Sequence, residues 1–438
     1  MTSLSYFLKP SLRSRRWRRS FYRVIILAFV ILFTLDIFCI AFPRNDSHRE
    51  ILTLSAASKR PSIFIASIHW NNEQIIRSHW SKALLDFISE YGADNVYVSI
   101  LEGGSWDDTK GALKELDVEL RNAGVERNVE LRDLSHEDMI KQGPSPGGAG
   151  WIRTSRGKKE MRRIPYLAGL RNTVMEHLKE IGQREKNPRR FDRVLWLNDV
   201  VFQTSDVLAL LATHNSSYAA ACSLDFSKPP NYYDTFALRD SSGVKPITDT
   251  WPYFLSLKSR RALMTNSPVP VQSCWNGMVV FDAEPFYANV VAGTQSKQKL
   301  TPLVFRGVDG SLASTHLEGS ECCLVHADNY LSAEKGVWLN PSVRVGYNGD
   351  AYATVNPKGL HGPLDWPSPR DKFFGLWINR GARVVGRPQR FLESMVVHWR
   401  LSGWQSKKGT DGQKNTEEGS QCLVNEMQVL AENGWAHV

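Results

Sequence analysis

Residues 62–197 alternate strand-length apolar runs with helix-length stretches, and that alternation commits the chain to a parallel, layered α/β sheet. Residues 62–68 read as a buried strand and 72–91 as a helix. Residues 95–101 give a second strand, 108–123 a helix and 128–134 a third strand. Pro165 opens a helix that runs to about Gly182, and residues 192–197 form the fourth strand. The segment 141–163 is rich in Gly, Pro, Lys and Arg, which predicts either disorder or a mobile cover over a ligand. No repeat is visible along the chain.

Ligands of such sheets bind beyond the carboxyl ends of the strands. That rule puts His69, Trp70, Asn71 and Asn72 on one rim with Glu102, Gly103, Gly104, Ser105, Asn198 and Asp199. Asp199 stands out because it ends an otherwise apolar run from Val194 to Phe202, and a buried charge is costly unless paired or metal-bound. The plainer reading of Asn198-Asp199 is a cap for the helix predicted over Thr204–Leu211. Neither a G-x-G-x-x-G nor a Walker sequence is present, so Rossmann cofactors and P-loop nucleotides lose ground.

The ends bound the setting. Seven cations and no acid occupy residues 1–23, and residues 24–42 are apolar except for Thr34 and Asp36. At about 1.5 Å per residue this run approaches the thickness of a hydrocarbon core. Basic residues on its N-terminal side predict a cytoplasmic tail (1–23), a single-pass signal anchor (24–42) and an outward-facing remainder. A cleaved signal peptide is the competing reading, but the run exceeds a usual h-region and no clean small-x-small site follows. A polar, Ser-rich stem (43–61) then leads to a luminal domain (62–438). The formal charge of +9 falls to +2 without the tail, so the basic balance does not argue for nucleic-acid binding.

Five cysteines lie beyond Cys39 of the anchor, too many for all to pair within the chain, and their connectivity is not readable. Cys/His zinc spacing is absent. Asn45 and Asn215 head glycosylation sequons, in keeping with a luminal address.

Further along, polar residues sit against apolar ones in five stretches: Leu197-Asn198-Asp199-Val200-Val201-Phe202, Tyr233-Asp234-Thr235 with Arg239-Asp240, Ser273-Cys274-Trp275-Asn276-Gly277, Ser320-Glu321-Cys322, and Asn340-Pro341-Ser342-Val343-Arg344. In this order, and with the helix carrying Arg171-Asn172, they resemble fungal glycosyltransferase family 69, the cryptococcal α-1,3-mannosyltransferase group. The resemblance covers roughly residues 60–350. It implies a GT-A-like (nucleotide-diphospho-sugar transferase) fold with a central, mostly parallel sheet after an N-terminal transmembrane helix. It also implies a type II Golgi membrane protein, a GDP-mannose donor, a glycan acceptor and a divalent metal, usually Mn2+.

A hard cation prefers carboxylate oxygen and offsets the charge growing on a departing diphosphate, which suits Asp199 as metal ligand and catalytic acid. The chain has Asn198-Asp199-Val200 where the family's fold commonly carries two acids one residue apart. Asn198 is then a carbonyl ligand or a ribose contact. A late histidine commonly completes such a metal site: His398, read as the end of a short strand 396–399, is the first choice and His361 the second. Both histidines also read as packed residues.

Arg171 and Asn172 are the expected diphosphate contacts, since a guanidinium donates in a planar fork. The plainer role for Arg171 is a cation near a helix end. Trp275, Asn276 and Gly277 suit a sugar pocket: an apolar floor, an amide for hydroxyls and close backbone approach. The sugar pocket is the favoured reading, with Trp275 as core beneath a turn the plainer one. Glu321 is expected near donor hydroxyls or the glycosyl cation, or else in a structural ion pair. Asp225, with Asp234, adds acids, and paired carboxylates also serve glycoside hydrolysis.

The expected activity is retaining α-1,3 transfer of mannose, in which the departing phosphate oxygen helps deprotonate the acceptor and no dedicated base is named. A glycan-binding protein without turnover and a membrane-anchored glycosidase are the alternatives.

Overall fold

The computed structural model describes residues 12–41, 60–144, 150–287, 301–359, 362–363, 366–407, 412–432 and 434–438. The expected stem, Asn45 and His361 lie outside these, save the stem's last two residues. α1 (Leu12–Ala41) is continuous, and its stretch Ser20–Phe38 is long and apolar enough to cross a membrane. Asp36, the acid in the expected span, is buried against Arg380 far along the chain.

The alternating pattern folds as expected. β1 (Ile63–His69) leads through a π-turn, Ile76–Trp80, into α2 (Ser81–Tyr91). That helix buries Leu84, Phe87, Ile88 and Tyr91, the one-sided spacing of an amphipathic helix. β2 (Val96–Glu102), α3 (Thr109–Asn122) and β3 (Glu126–Leu131) follow, and every β3 residue is half-buried, as an edge strand should be. α4 (His136–Gln142) is closed by a capping box between Ser135 and Asp138. Within 141–163, expected to be disordered or a cover, β4 (Trp151–Arg153) and β5 (Lys159–Met161) form a hairpin.

α5 (Arg163–Gly182), β6 (Arg193–Leu197) and α6 (Thr204–Leu211) complete the N-terminal half. Asn198-Asp199 does not cap α6; the Asp206 carboxylate accepts the Gln203 amide there instead, at 2.8 Å.

The second half supplies β7 (Ala220–Phe226), β8 (Arg239–Asp240), β9 (Val269–Ser273), β10 (Met278–Asp282) and β11 (Glu318–Gly319). Then come α7 (Glu321–Asp328), β12 (Val337–Gly346), α8 (Pro369–Val385), α9 (Arg387–Gln405) and β13 (Leu423–Val424), which pairs with β11. Residues 396–399 therefore belong to a helix and not to the expected strand. Val-Val-His-Trp is too short a run to set a period by itself, and Pro388 in the first turn starts a helix that carries it.

A nine-stranded sheet runs β3-β2-β1-β6-β10-β7-β12-β9-β8. Pairing is parallel from β3 to β6 and between β7 and β12, while β10 is antiparallel to both neighbours. Successive side chains of a strand point to opposite faces, and here each face has its own core. Phe64, Trp196 and Phe281 enter one core; Ile63, Leu195 and Val280 enter the other. A third cluster joins α9 to the C-terminus through Leu401, Trp404, Leu324 and Leu423. Disulfides link Cys222 to Cys274 and Cys323 to Cys422, and Cys322 is a buried free thiol.

Candidate functional site

The three predicted rim loops do converge. Asn72, after β1, donates its side-chain amide to Asp199 Oδ2 at 2.9 Å. The Asn71 backbone N–H donates to Ser105 Oγ at 2.9 Å, and Gly103 N–H to the His69 carbonyl at 2.9 Å, tying the β1 and β2 loops together. Trp70, Trp106 and His136 stack edgewise beside them, with ring centroids 4.7–5.4 Å apart. Trp106 and His136 were not foreseen; an aromatic beside a sheet rim is the signal that would have found them.

Asp199 follows β6 directly. Burial pushes its carboxyl up to about 6, against the pull of its own backbone N–H and of the Asn72 amide. No Lys or Arg ion pair engages it among the described residues. Its neighbour Asn198 is held at three points: Trp80 Nε1 donates to its carbonyl at 3.0 Å, Trp275 Nε1 to its Oδ1 at 3.1 Å, and its own N–H reaches the Gly277 carbonyl at 2.9 Å. Both oxygens of Asn198 are engaged, so it fixes the turn that presents Asp199.

Trp275 is buried, 3 % exposed, between Trp196 and Phe305 with the Arg171 guanidinium 4.2 Å from its ring centre. Asn276 is fully buried at φ +45°; its amide donates to Tyr232 Oη and to the Asp234 carbonyl at 3.2 Å, while its Oδ1 has no partner. Gly277 adopts φ +79°, and a Cβ there would stand 2.6 Å from Val345 and 3.2 Å from Asp225 Cβ. The glycine is therefore required twice, by backbone angle and by space. These three residues build the floor beneath Asn198-Asp199 rather than an open sugar surface.

Asp225, at the end of β7, is fully buried. Tyr347 Oη donates to its Oδ2 at 2.9 Å and the Asp234 N–H to its Oδ1 at 3.2 Å. Burial and the neighbouring Asp234 charge raise its carboxyl well above the usual range. Asp234 is raised by burial too, although its Oδ1 accepts from Phe236 N–H at 3.0 Å and Ala237 N–H at 3.3 Å. Asp225, Asp199 and Asp234 all raise the Tyr347 hydroxyl after burial does. Tyr347, just past β12, was missed, because nothing in the run after Arg344 marks it as polar chemistry.

Arg171 and Glu321 form a buried ion pair at 3.1 Å. Burial works to lower the Arg171 guanidinium, and Cys322 and Glu321 beside it outweigh that and hold it raised. Asn172 bonds both backbone groups of Phe305, at 2.8 and 2.9 Å, and so serves as a brace. His398 lies on an exposed face of α9, its Nε2 3.5 Å from Ser402 Oγ, and no described contact joins it to Asp199.

The donor set accommodates a cation only around the carboxylates. Asp199 is desolvated and has no Lys or Arg ion pair among the described residues, so a divalent ion would offset its charge; Asp225 and Asp234, both raised by burial, lie on the same side through Tyr347. Among the described residues the one compact trio of ligand-type side chains, Cys222, Cys274 and His326, is excluded because its two sulfurs are joined in the disulfide.

A parallel half-sheet with its crossover helices and an acid at the carboxyl end of β6 defines a layered α/β protein, a class whose ligands bind at that edge. The family model described as Cryptococcal mannosyltransferase 1 matches residues 62–328, and the chain belongs to that family. Its central sheet, parallel from β3 to β6, is the layered α/β arrangement expected. A curated relative, alpha-1,3-mannosyltransferase CMT1 of Cryptococcus neoformans, is 26 % identical over 276 residues, covering 59 % of this chain and 52 % of its own length. The chain thus matches about half of that relative. Among solved structures, the Pyrobaculum calidifontis mannosyltransferase PcManGT with GDP-Man and Mn2+ is 13 % identical at TM-score 0.33, covering 69 % of this chain and 60 % of its own. S. aureus TarS with UDP is 13 % identical at TM-score 0.33, covering 65 % and 60 %. Scores this low carry no argument about individual residues.

Proposed function

We propose that the protein is a membrane-anchored glycosyltransferase that moves mannose from GDP-mannose to a glycan hydroxyl in the Golgi lumen, forming an α-1,3 linkage with retention. Family membership supports the transfer of mannose. Asp199 carries the reading: a desolvated carboxylate without a cationic partner, presented at the carboxyl end of β6 where three loops meet.

In this account Asp199 would hold a divalent cation, with Mn2+ the expected ion. Such an ion supplies a hard positive centre that offsets the charge of the leaving diphosphate. The chain's own residues supply position. Asn72 orients the Asp199 carboxylate, Trp80 and Trp275 fix the turn at Asn198, and Gly277 lets the β10 loop approach from below. The Arg171–Glu321 pair and Asn172 stiffen α5 against α7 behind that floor. Asp225 and Asp234, bound to Tyr347 and to backbone, border the same floor through Gly277 and Asn276.

The test is GDP release from GDP-mannose by the full chain with manganese, beside Asp199→Asn. The expected outcome is manganese-dependent release, lost in the variant. Glycan binding with no turnover on any donor would replace the transferase by a lectin, and glycan cleavage without nucleotide would replace it by a hydrolase.

A further inference from the structure

α8 and α9 run on through Gly386 as one bent helix, with Gly386 N–H donating to the Ala382 carbonyl and Arg390 N–H to the Gly386 carbonyl, and α8 lies against the expected anchor. Phe373 meets Phe33 edge-on at 5.1 Å, Trp377 meets Phe29 at 5.0 Å, and Arg380 pairs with Asp36, one of its two bonds being 2.7 Å. Phe29 sits midway along the apolar stretch Ser20–Phe38. A side chain packed on the middle of a membrane-crossing stretch lies at the same depth as that stretch.

Beyond that contact the bent helix exposes large apolar residues beside polar ones such as Gln389, Glu393 and His398. Val384 and Val385 at its bend are 74 % and 82 % exposed, and Phe391 and Trp399 on α9 are 63 % and 75 % exposed. Phe391, Met395 and Trp399 are spaced four apart and form one stripe. The C-terminal end of α9 is the anchored part: Leu401 and Trp404 join the third core, and Trp404 Nε1 donates to Ser311 Oγ at 2.8 Å.

Arginines rim the apolar surface. Arg260, Arg261, Arg380 and Arg383 lie close enough that Arg260 is lowered by burial and then by the other three. Among the described residues Asp36 pairs with Arg380 alone, and the buried Arg383 Nε has no partner. Unbalanced guanidinium charge beside an apolar stripe matches the headgroup level of a leaflet with anionic lipid.

We infer that α8–α9 is a second membrane element, a monotopic bent helix that inserts its bend and the Phe391–Trp399 stripe into the leaflet beside α1 while the arginine cluster meets lipid phosphates. This rests on the reading of α1 as a bilayer-spanning anchor. The occupant of the exposed face is lipid, because among the described residues the bent helix has the spanning helix itself as its apolar partner outside the globule.

The full chain in nanodiscs of phosphatidylcholine and phosphatidylserine tests it. In a background with Cys39→Ser and Cys322→Ser, an environment-sensitive fluorophore is attached singly at Ala28→Cys, Phe391→Cys, Trp399→Cys and Lys141→Cys, the last being an exposed position on α4. Positions 28, 391 and 399 are expected to lose emission to chain-nitroxide lipid and to resist aqueous iodide, with position 141 behaving oppositely. If 28 is quenched by the lipid nitroxide while 391 and 399 follow 141, the bent helix lies in water and the inference fails alone. Shielding of 391 and 399 from both quenchers would mean that protein covers the face, which also overturns it. Should position 28 itself escape the lipid nitroxide, the anchor reading fails and the inference falls with it.

Discussion

At the carboxyl end of β7, Asp225 takes hydrogens from Tyr347 and from the Asp234 backbone but has no cation beside it. Its folded-state affinity for a proton is raised by burial, so native protein keeps a proton that the unfolded chain loses above about pH 4. Unfolded protein then binds fewer protons, and stability declines as pH rises from there towards neutrality. Asp225→Asn, which mimics the protonated acid, is expected to flatten that decline in melting temperatures taken across the range; an unchanged slope would refute the assignment. Arg162 and Glu318 behave differently. Each is 2 % exposed, and the guanidinium forks onto the carboxylate at 2.8 and 2.9 Å and onto the Val308 carbonyl at 2.9 Å. Glu318→Gln leaves the arginine buried without its counter-charge, which costs about 3–5 kcal/mol. Chemical denaturation should show the lost stability. Asp199 was legible from sequence because an acid ending an apolar strand has few cheap explanations. The Asp225–Tyr347 contact was not, since 122 residues separate the partners and each alone is unremarkable.

Elements were read most securely where their period was sustained. β1 and β6 fell within a residue or two of their expected bounds because β-branched and bulky apolar residues fill both faces of a central strand. The strand expected at 396–399 failed for want of length, and the buried Trp275 loop was read as an open pocket because sequence gives burial no direction. That loop makes its own prediction. Gly277→Ala must accept φ +79° and displace Val345, and its carbonyl is what receives the Asn198 N–H. The expected result is a loss of at least about 1 kcal/mol in stability together with a fall in kcat for donor turnover, as the Asp199 turn shifts. Retained kcat with the same stability loss would separate the loop from the chemistry. On the opposite face, Gly375 of α8 sits so close to the Trp251 carbonyl that an added Cβ would stand 2.0 Å from it. Gly375→Val should pry α8 from the globule, seen as faster amide exchange across 369–385.

Across the whole molecule, the C-terminal segment is tied back to the sheet by the β11–β13 bridge and by Cys323–Cys422, whose partners are 99 residues apart. A link closing a loop of that length restricts the unfolded chain by about 4–5 kcal/mol on the chain-entropy account. Cys422→Ser should lower the melting temperature while leaving the melting behaviour in reductant close to that of the reduced parent. The third core, which unites α9, α7 and β13, depends on that link, so α9 should loosen along with the terminus.

The chain places two thiols side by side at the start of α7, of which only Cys323 is bridged. Neighbouring positions on a helix point about 100° apart. Oxidation that captured Cys322 instead would swivel the helix by that angle and carry Glu321 away from Arg171, uncoupling two buried opposite charges in one step. Correct maturation therefore demands a choice between adjacent sulfurs, and a chain that chose wrongly would regain the native pairing only by thiol–disulfide exchange.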